Sequence, residues 1–97
     1  MLRITRTDNA TEQKLILEGW LTETWIADLN SHWEATRHAH PERAFVVDLR
    51  GVTRIDSGGE SALARLQAKG AKFLASGIRI KHLVRDLESR GPATKSR

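Results

Sequence analysis

Ala44-Phe45-Val46-Val47-Asp48-Leu49-Arg50-Gly51-Val52-Thr53-Arg54-Ile55-Asp56-Ser57-Gly58-Gly59-Glu60 is the stretch on which the fold turns. Its first four residues are a continuous apolar run, the pattern of a strand buried on both faces in a parallel sheet covered by helices. Asp48-Leu49-Arg50-Gly51 leaves that strand, and Val52 and Ile55 bring the chain back to the core. Ser57 then opens a helix that runs to about Lys69, with Ala62, Leu63 and Leu66 on its buried side. Gly70 stands where a helix C′ glycine is expected.

Upstream, Leu2 and Ile4 alternate with Arg3 and Thr5, the period of a half-buried strand. Asp8-Asn9-Ala10-Thr11 is a polar turn, and Lys14 to Glu18 reads as the second arm of a hairpin ended by Gly19. Thr22 is the N-cap expected for the next helix, with Glu23 in its first turn and Leu21 and Ile26 placed as a hydrophobic staple. Trp25, Ile26, Leu29 and Trp33 form one apolar stripe at helical spacing, Thr36 continues it one turn on, and His38 to Pro41 stops the helix. Trp20 falls in the connection before that helix and is the tryptophan expected at the surface.

Downstream, Gly70 to Ala75 reads as a strand ended by Ser76-Gly77. Ile80, Leu83, Val84 and Leu87 follow i, i+3, i+4, i+7, which predicts a final helix from about Ile78 to Ser89. The order β-β-α-β-α-β-α predicts an α/β fold. It combines an N-terminal hairpin with a mixed sheet, partly parallel, packed by about three helices.

The chain has 97 residues, one domain's worth. The expected division is a single domain over 1–89 and a basic disordered tail over 90–97. At this size roughly 65% of the unfolded surface can be buried. Apolar residues are 39% and charged residues 29%, which is a globular balance rather than that of a disordered chain. There is no cysteine, which excludes a disulfide framework, a thiolate zinc site and a cysteine nucleophile. The N-terminus lacks the apolar run of a signal peptide, and no stretch of 18 apolar residues occurs, so no membrane insertion is expected. These features point to a cytoplasmic protein.

The net charge of +4 is mostly a property of the tail. Arg90, Lys95 and Arg97 account for three of the 16 basic residues, leaving 13 against 12 acids, or +1, in residues 1–89. A nucleic-acid binder needs basic residues gathered on a folded face beside aromatics. None is legible, so no nucleic-acid partner is expected.

Catalytic motifs are missing. Asp56-Ser57-Gly58-Gly59 echoes the nucleophile segment of trypsin-like proteases, but that triad needs a far larger two-barrel scaffold. No spacing brings His32, His38, His40 or His82 to Ser57, and His38 and His40 lack the carboxylates of a metal site. No phosphate-loop glycine pattern occurs, so neither a cofactor nor a metal is expected and the chain is not expected to be an enzyme.

Ser57-Gly58-Gly59-Glu60 reads structurally as a capping box, with the Ser57 hydroxyl on the Glu60 amide and the Glu60 carboxylate reaching back. The two glycines cost helix stability, about 0.8–1.0 kcal/mol each in a helix interior. They leave bare N–H groups suited to an anion, or to a phosphate on Ser57. Asp56 and Glu60 oppose such an anion by their charge.

From Leu2 to about Leu87 the sequence resembles a STAS domain, the fold of anti-sigma factor antagonists. The resemblance is most specific over Phe45–Gly59, an apolar strand, Asp-Leu, a short connection, then apolar-Asp-Ser-Gly opening a helix. It implies a regulatory module that binds a kinase-type partner and is switched by phosphorylation. The hydroxyl residue is normally the second after the Asp, where this chain has Gly58, which cannot be phosphorylated; only Ser57, one position earlier, carries a hydroxyl. Glu60 also replaces the usual apolar residue. The run is similar as well to that of the STAS subunit of Mla-type phospholipid ABC transporters. There the hydroxyl follows the Asp directly and the segment docks on the transporter's ATPase subunit.

The expectation is therefore a non-enzymatic protein-binding module. Its partner-binding or phosphorylation segment is Asp56, Ser57, Gly58, Gly59 and Glu60. Trp20, Arg54, Arg65 and Lys69, with Ser61, are the expected flanking interface. The partner would be an anti-sigma factor of kinase type or, alternatively, an ABC ATPase. A second alternative is a sensor of a small anionic ligand held at the helix start.

Overall fold

A computed structural model describes residues 1–75 and 81–86. Strands β1 (Leu2–Asp8), β2 (Glu12–Leu21), β3 (Ala44–Ile55) and β4 (Lys72–Leu74) form one sheet in the order β1-β2-β3-β4. The first pair is antiparallel and the other two are parallel. A 3₁₀ turn (Glu23–Trp25) leads into helix α1 (Ile26–Ala39), which connects β2 to β3; α2 (Ser57–Ala68) connects β3 to β4. Residues 81–86 are helical and place Val84 in the core. The rest of the helix expected over Ile78–Ser89, and the tail 90–97, lie outside the described residues.

The hairpin turn forms because Asn9 closes it locally. Its Oδ1 accepts the amides of Thr11 and Glu12, both at 2.9 Å, and its own amide donates to the Glu12 carbonyl. This is an Asx turn, for which a short polar side chain is required.

Leu15, Leu17 and Leu21 of β2 and Phe45, Val47, Leu49 and Val52 of β3 meet Ile26, Leu29 and Trp33 of α1 and Ala62, Leu63 and Leu66 of α2 in one core. Trp33 lies on Phe45 with ring centroids 4.1 Å apart. The stripe expected on α1 is the one buried, with Trp25 only partly so. At the far end of α2, the Gly70 amide donates to the Gln67 carbonyl and the Ala71 amide to Leu66, at 3.0 Å each. These two bonds are a Schellman motif, and Gly70 has the positive φ, 100°, that it needs.

Several boundaries differ from the sequence reading. β2 does not end at Gly19, and β3 does not end at Val47. Both run on, paired to each other as far as Leu21 and Ile55. Register shifts between Ile16 and Glu18 and between Gly19 and Trp20 absorb the irregularity, and Gly19 takes φ 102° at the second. Trp20 is therefore a strand residue opposite Arg54, not part of a connection. Asp48, read as leaving the strand, is a buried strand residue holding Arg50 by paired bonds of 3.0 and 2.8 Å. These bonds hold its carboxyl below the ordinary range although burial opposes it. β4 is three residues rather than six.

Candidate functional site

The Asp56–Glu60 segment sits where β3 ends and α2 begins, directly beside the end of β2. Asp56, not Ser57, is the N-cap. Its backbone is extended, and its Oδ1 accepts the Gly59 amide at 2.8 Å. Both residue types cap helices well, and the sequence permits either register. Contact with a second element decides between them. Asp56 Oδ2 accepts the amide of Glu23 at 3.0 Å, and the Asp56 amide reaches the Leu21 carbonyl at 3.4 Å. One carboxylate thus caps α2 and also satisfies the entry turn of α1. Thr22, expected to cap that turn, makes no side-chain capping bond.

This arrangement holds the Asp56 carboxyl below its ordinary value of 3.8, through the Glu23 amide first and the Gly59 amide second. Unfolded, the carboxyl titrates near its ordinary value. The clamp therefore contributes fully at neutral pH, and the contribution is lost as pH falls below about 4 and through the folded value. Asp56→Asn should be less stable than the parent at pH 7, and the gap in melting temperature should close under acid. A gap that stayed constant from pH 7 to pH 3 would show that the charged clamp contributes nothing.

The paired glycines also have an internal cause. A Cβ on Gly59 would overlap the Leu21 carbonyl oxygen, with Ile55 Cγ2 only 3.1 Å away. A Cβ on Gly58 would run into the Glu23 carboxylate. The glycines let α2 start against the end of β2, so their cost to helix stability is explained without an external ligand. The Gly59 amide, expected to be bare, is occupied by Asp56. Three carboxylates, Glu23, Asp56 and Glu60, surround this end of the helix and make it a poor seat for a free anion.

The same substitution of roles releases Ser57. It is the exposed first residue of α2, and among the described residues no hydrogen bond engages its hydroxyl. Glu60 is exposed as well and does not reach back to Ser57; it borders a shallow hollow with His82, Leu83 and Asp86. Ser61, Arg65 and Lys69 are exposed along the same helix, and Lys69 pairs with Glu34 at 3.7 Å. Trp20 and Arg54 lie one residue from Leu21 and Ile55, so they project from the opposite face of the sheet. Trp20 is 48% exposed, with the Arg54 guanidinium 5.3 Å from its ring centroid. The expected interface residues therefore fall into two groups, one on each side of the sheet end. Glu23 is the member that sequence reasoning missed. Nothing local in the sequence links it to Asp56, 33 positions away.

Among solved structures, an anti-sigma factor antagonist from Mycobacterium paratuberculosis superposes with a TM-score of 0.78, over 95% of this chain and 84% of the other, at 21% identity. This is the STAS fold. The unphosphorylated anti-sigma factor antagonist SpoIIAA matches with a TM-score of 0.64 over 100% of this chain and 89% of its own, at 13% identity. An antisigma-factor antagonist STAS domain from Rhodobacter sphaeroides matches at 0.59, over 80% and 88%, at 18% identity. No family model matches the sequence, and neither does any curated protein. The STAS fold, with its hairpin followed by two parallel crossovers, is thus shared with these structures at only 13–21% sequence identity. Among the described residues, no helix is long and apolar enough to cross a membrane.

Proposed function

We propose that this chain is a cytoplasmic, non-enzymatic regulatory module that docks a protein partner through the exposed start and outer stripe of α2: Ser57, Glu60, Ser61, Arg65 and Lys69. The observation that carries this reading is that Asp56 caps the helix and leaves the Ser57 hydroxyl free at an exposed turn. A serine needed only as a cap would be engaged. The shared fold with anti-sigma factor antagonists supports a partner of the anti-sigma, kinase-like class.

A phosphate on Ser57 would be a disruptive switch rather than an ordering one. It would add about −1.5 to −2 charges next to Asp56 and Glu60, where repulsion opposes both the cap and docking. The Mla-type reading, with an ABC ATPase as partner, is favoured by one feature, the hydroxyl directly after the Asp.

The test is affinity capture from the native cell with the parent, a Ser57→Asp and Glu60→Arg double variant, and an Arg3→Glu control on β1. An ATP-binding kinase-like protein retained by parent and control and lost by the double variant is the expected result. An ABC ATPase with the same dependence would transfer the protein to the transporter reading. Equal recovery with all three would remove this surface from the interface.

A further inference from the structure

At the other end of the sheet lies a half-open cavity of about 310 Å³, between the hairpin tip and the last turn of α1. It is lined by Arg6, Asp8, Gln13, Thr36 and His40, together with Thr7 and Ala39. β2 separates it from the Asp56 clamp by about 30 Å, the length of a ten-residue strand.

Its composition is unusual for its position. Gln13 occupies the core-facing phase of β2, the phase continued by Leu15 and Leu17, and is only 2% exposed. Thr36 continues the apolar stripe of α1 and is also buried. An apolar residue at either site would add to the core. Among the described residues no hydrogen bond engages the Gln13 carboxamide, although it offers two donors and an acceptor to the cavity. Its polar atoms open onto the cavity rather than being sealed in the core, so their partner is whatever fills that space.

The charges around it point to the class of that partner. Among the described residues Arg6 makes one side-chain hydrogen bond, a long one of 3.4 Å to Thr36 Oγ1, which leaves most of its guanidinium donors without a protein partner. Asp8 faces the same space but is held by Arg43 at 3.1 Å, so its charge is offset. His40 lies 3.6 Å from Glu42.

We infer that this cavity binds a small hydroxy- or amino-carboxylate, its carboxylate on Arg6 and its second polar group on the Gln13 amide and the Thr36 hydroxyl. The volume is at the lower end of the range for small-molecule sites. The site is independent of the docking surface proposed on α2.

The experiment is an NMR titration of the full chain, with the Gln13 side-chain amide as reporter and L-lactate, L-serine and L-glutamate as probes. One of them should shift that amide saturably. Arg6→Gln, at an exposed residue, should weaken binding of the same probe about tenfold or more, the effect of losing a charge-assisted bond. Gln13→Leu, followed through the backbone amides of Arg6 and Thr36, should abolish binding while raising the melting temperature, whereas a glutamine with a purely structural role would lower it. The inference is overturned if none of the three probes shifts the amide at millimolar concentration. It is equally overturned if Arg6→Gln binds as the parent does, or if Gln13→Leu melts lower than the parent.

Discussion

Trp33→Ala should lower the unfolding free energy by about 3–5 kcal/mol, the range for truncating a large buried aromatic. Trp33 is 2% exposed, sits mid-helix in α1 and packs against Phe45 with the two rings tilted at 54°, so its removal unpins the helix from the sheet. A domain of this size holds roughly 5–15 kcal/mol in total, so the variant should be close to unfolding or unfolded at 37 °C. The contrast with Trp33→Phe isolates the cause. Phenylalanine keeps a ring against Phe45 and removes the indole Nε1, a buried donor with no partner among the described residues. That relief offsets part of the lost volume, so Trp33→Phe should cost far less than Trp33→Ala. Denaturant midpoints of the three proteins provide the measurement. A Trp33→Ala cost near 1 kcal/mol would contradict the packing of α1 described above.

For Gly59→Ala, two effects of opposite sign compete. Helix propensity alone favours alanine, by about 0.8–1.0 kcal/mol in a helix interior. The new Cβ, however, would clash with the Leu21 carbonyl oxygen. A backbone carbonyl cannot swing aside as a side chain can, and Leu21 is further tied by the Asp56 amide. Overpacking of this kind costs typically 1–3 kcal/mol, occasionally more, and a rigid neighbour places this case at the upper end. The net effect should be a loss of about 2 kcal/mol or more. Gly58→Ala meets only the Glu23 carboxylate, the far end of a flexible side chain, and should be much milder. Urea unfolding of the two variants would test the pair. A stabilised Gly59→Ala would mean that α2 does not start against β2.

The expected order of elements was legible because each segment carried its own period. Two-residue alternation marked β1, the stripe through Trp33 marked α1, and Gly70 marked the end of α2. These signals are local, depending on residues within a turn or two of one another. The irregular part of the sheet was not legible. Gly19 and Gly51 look like strand ends in isolation, yet β2 and β3 pair through them, since two adjacent strands share the strain of a bulge that neither shows alone.

The site divides the same way. That a polar, glycine-rich helix start follows a buried strand was written in Ile55-Asp56-Ser57-Gly58-Gly59. Which residue caps it was not, because Asp56 and Ser57 have nearly equal local merit as caps. The choice was made by the amide of Glu23 and the carbonyl of Leu21, groups brought to Asp56 only when β2 pairs with β3. The sequence by itself determined the elements, their order and the apolar faces that bury them, since side-chain period and local capping act over a few residues. Only the tertiary structure decided that Asp56 is the clamp, that Gly59 is a close approach and that Ser57 is free. Each of those depends on backbone atoms of a segment more than thirty residues away.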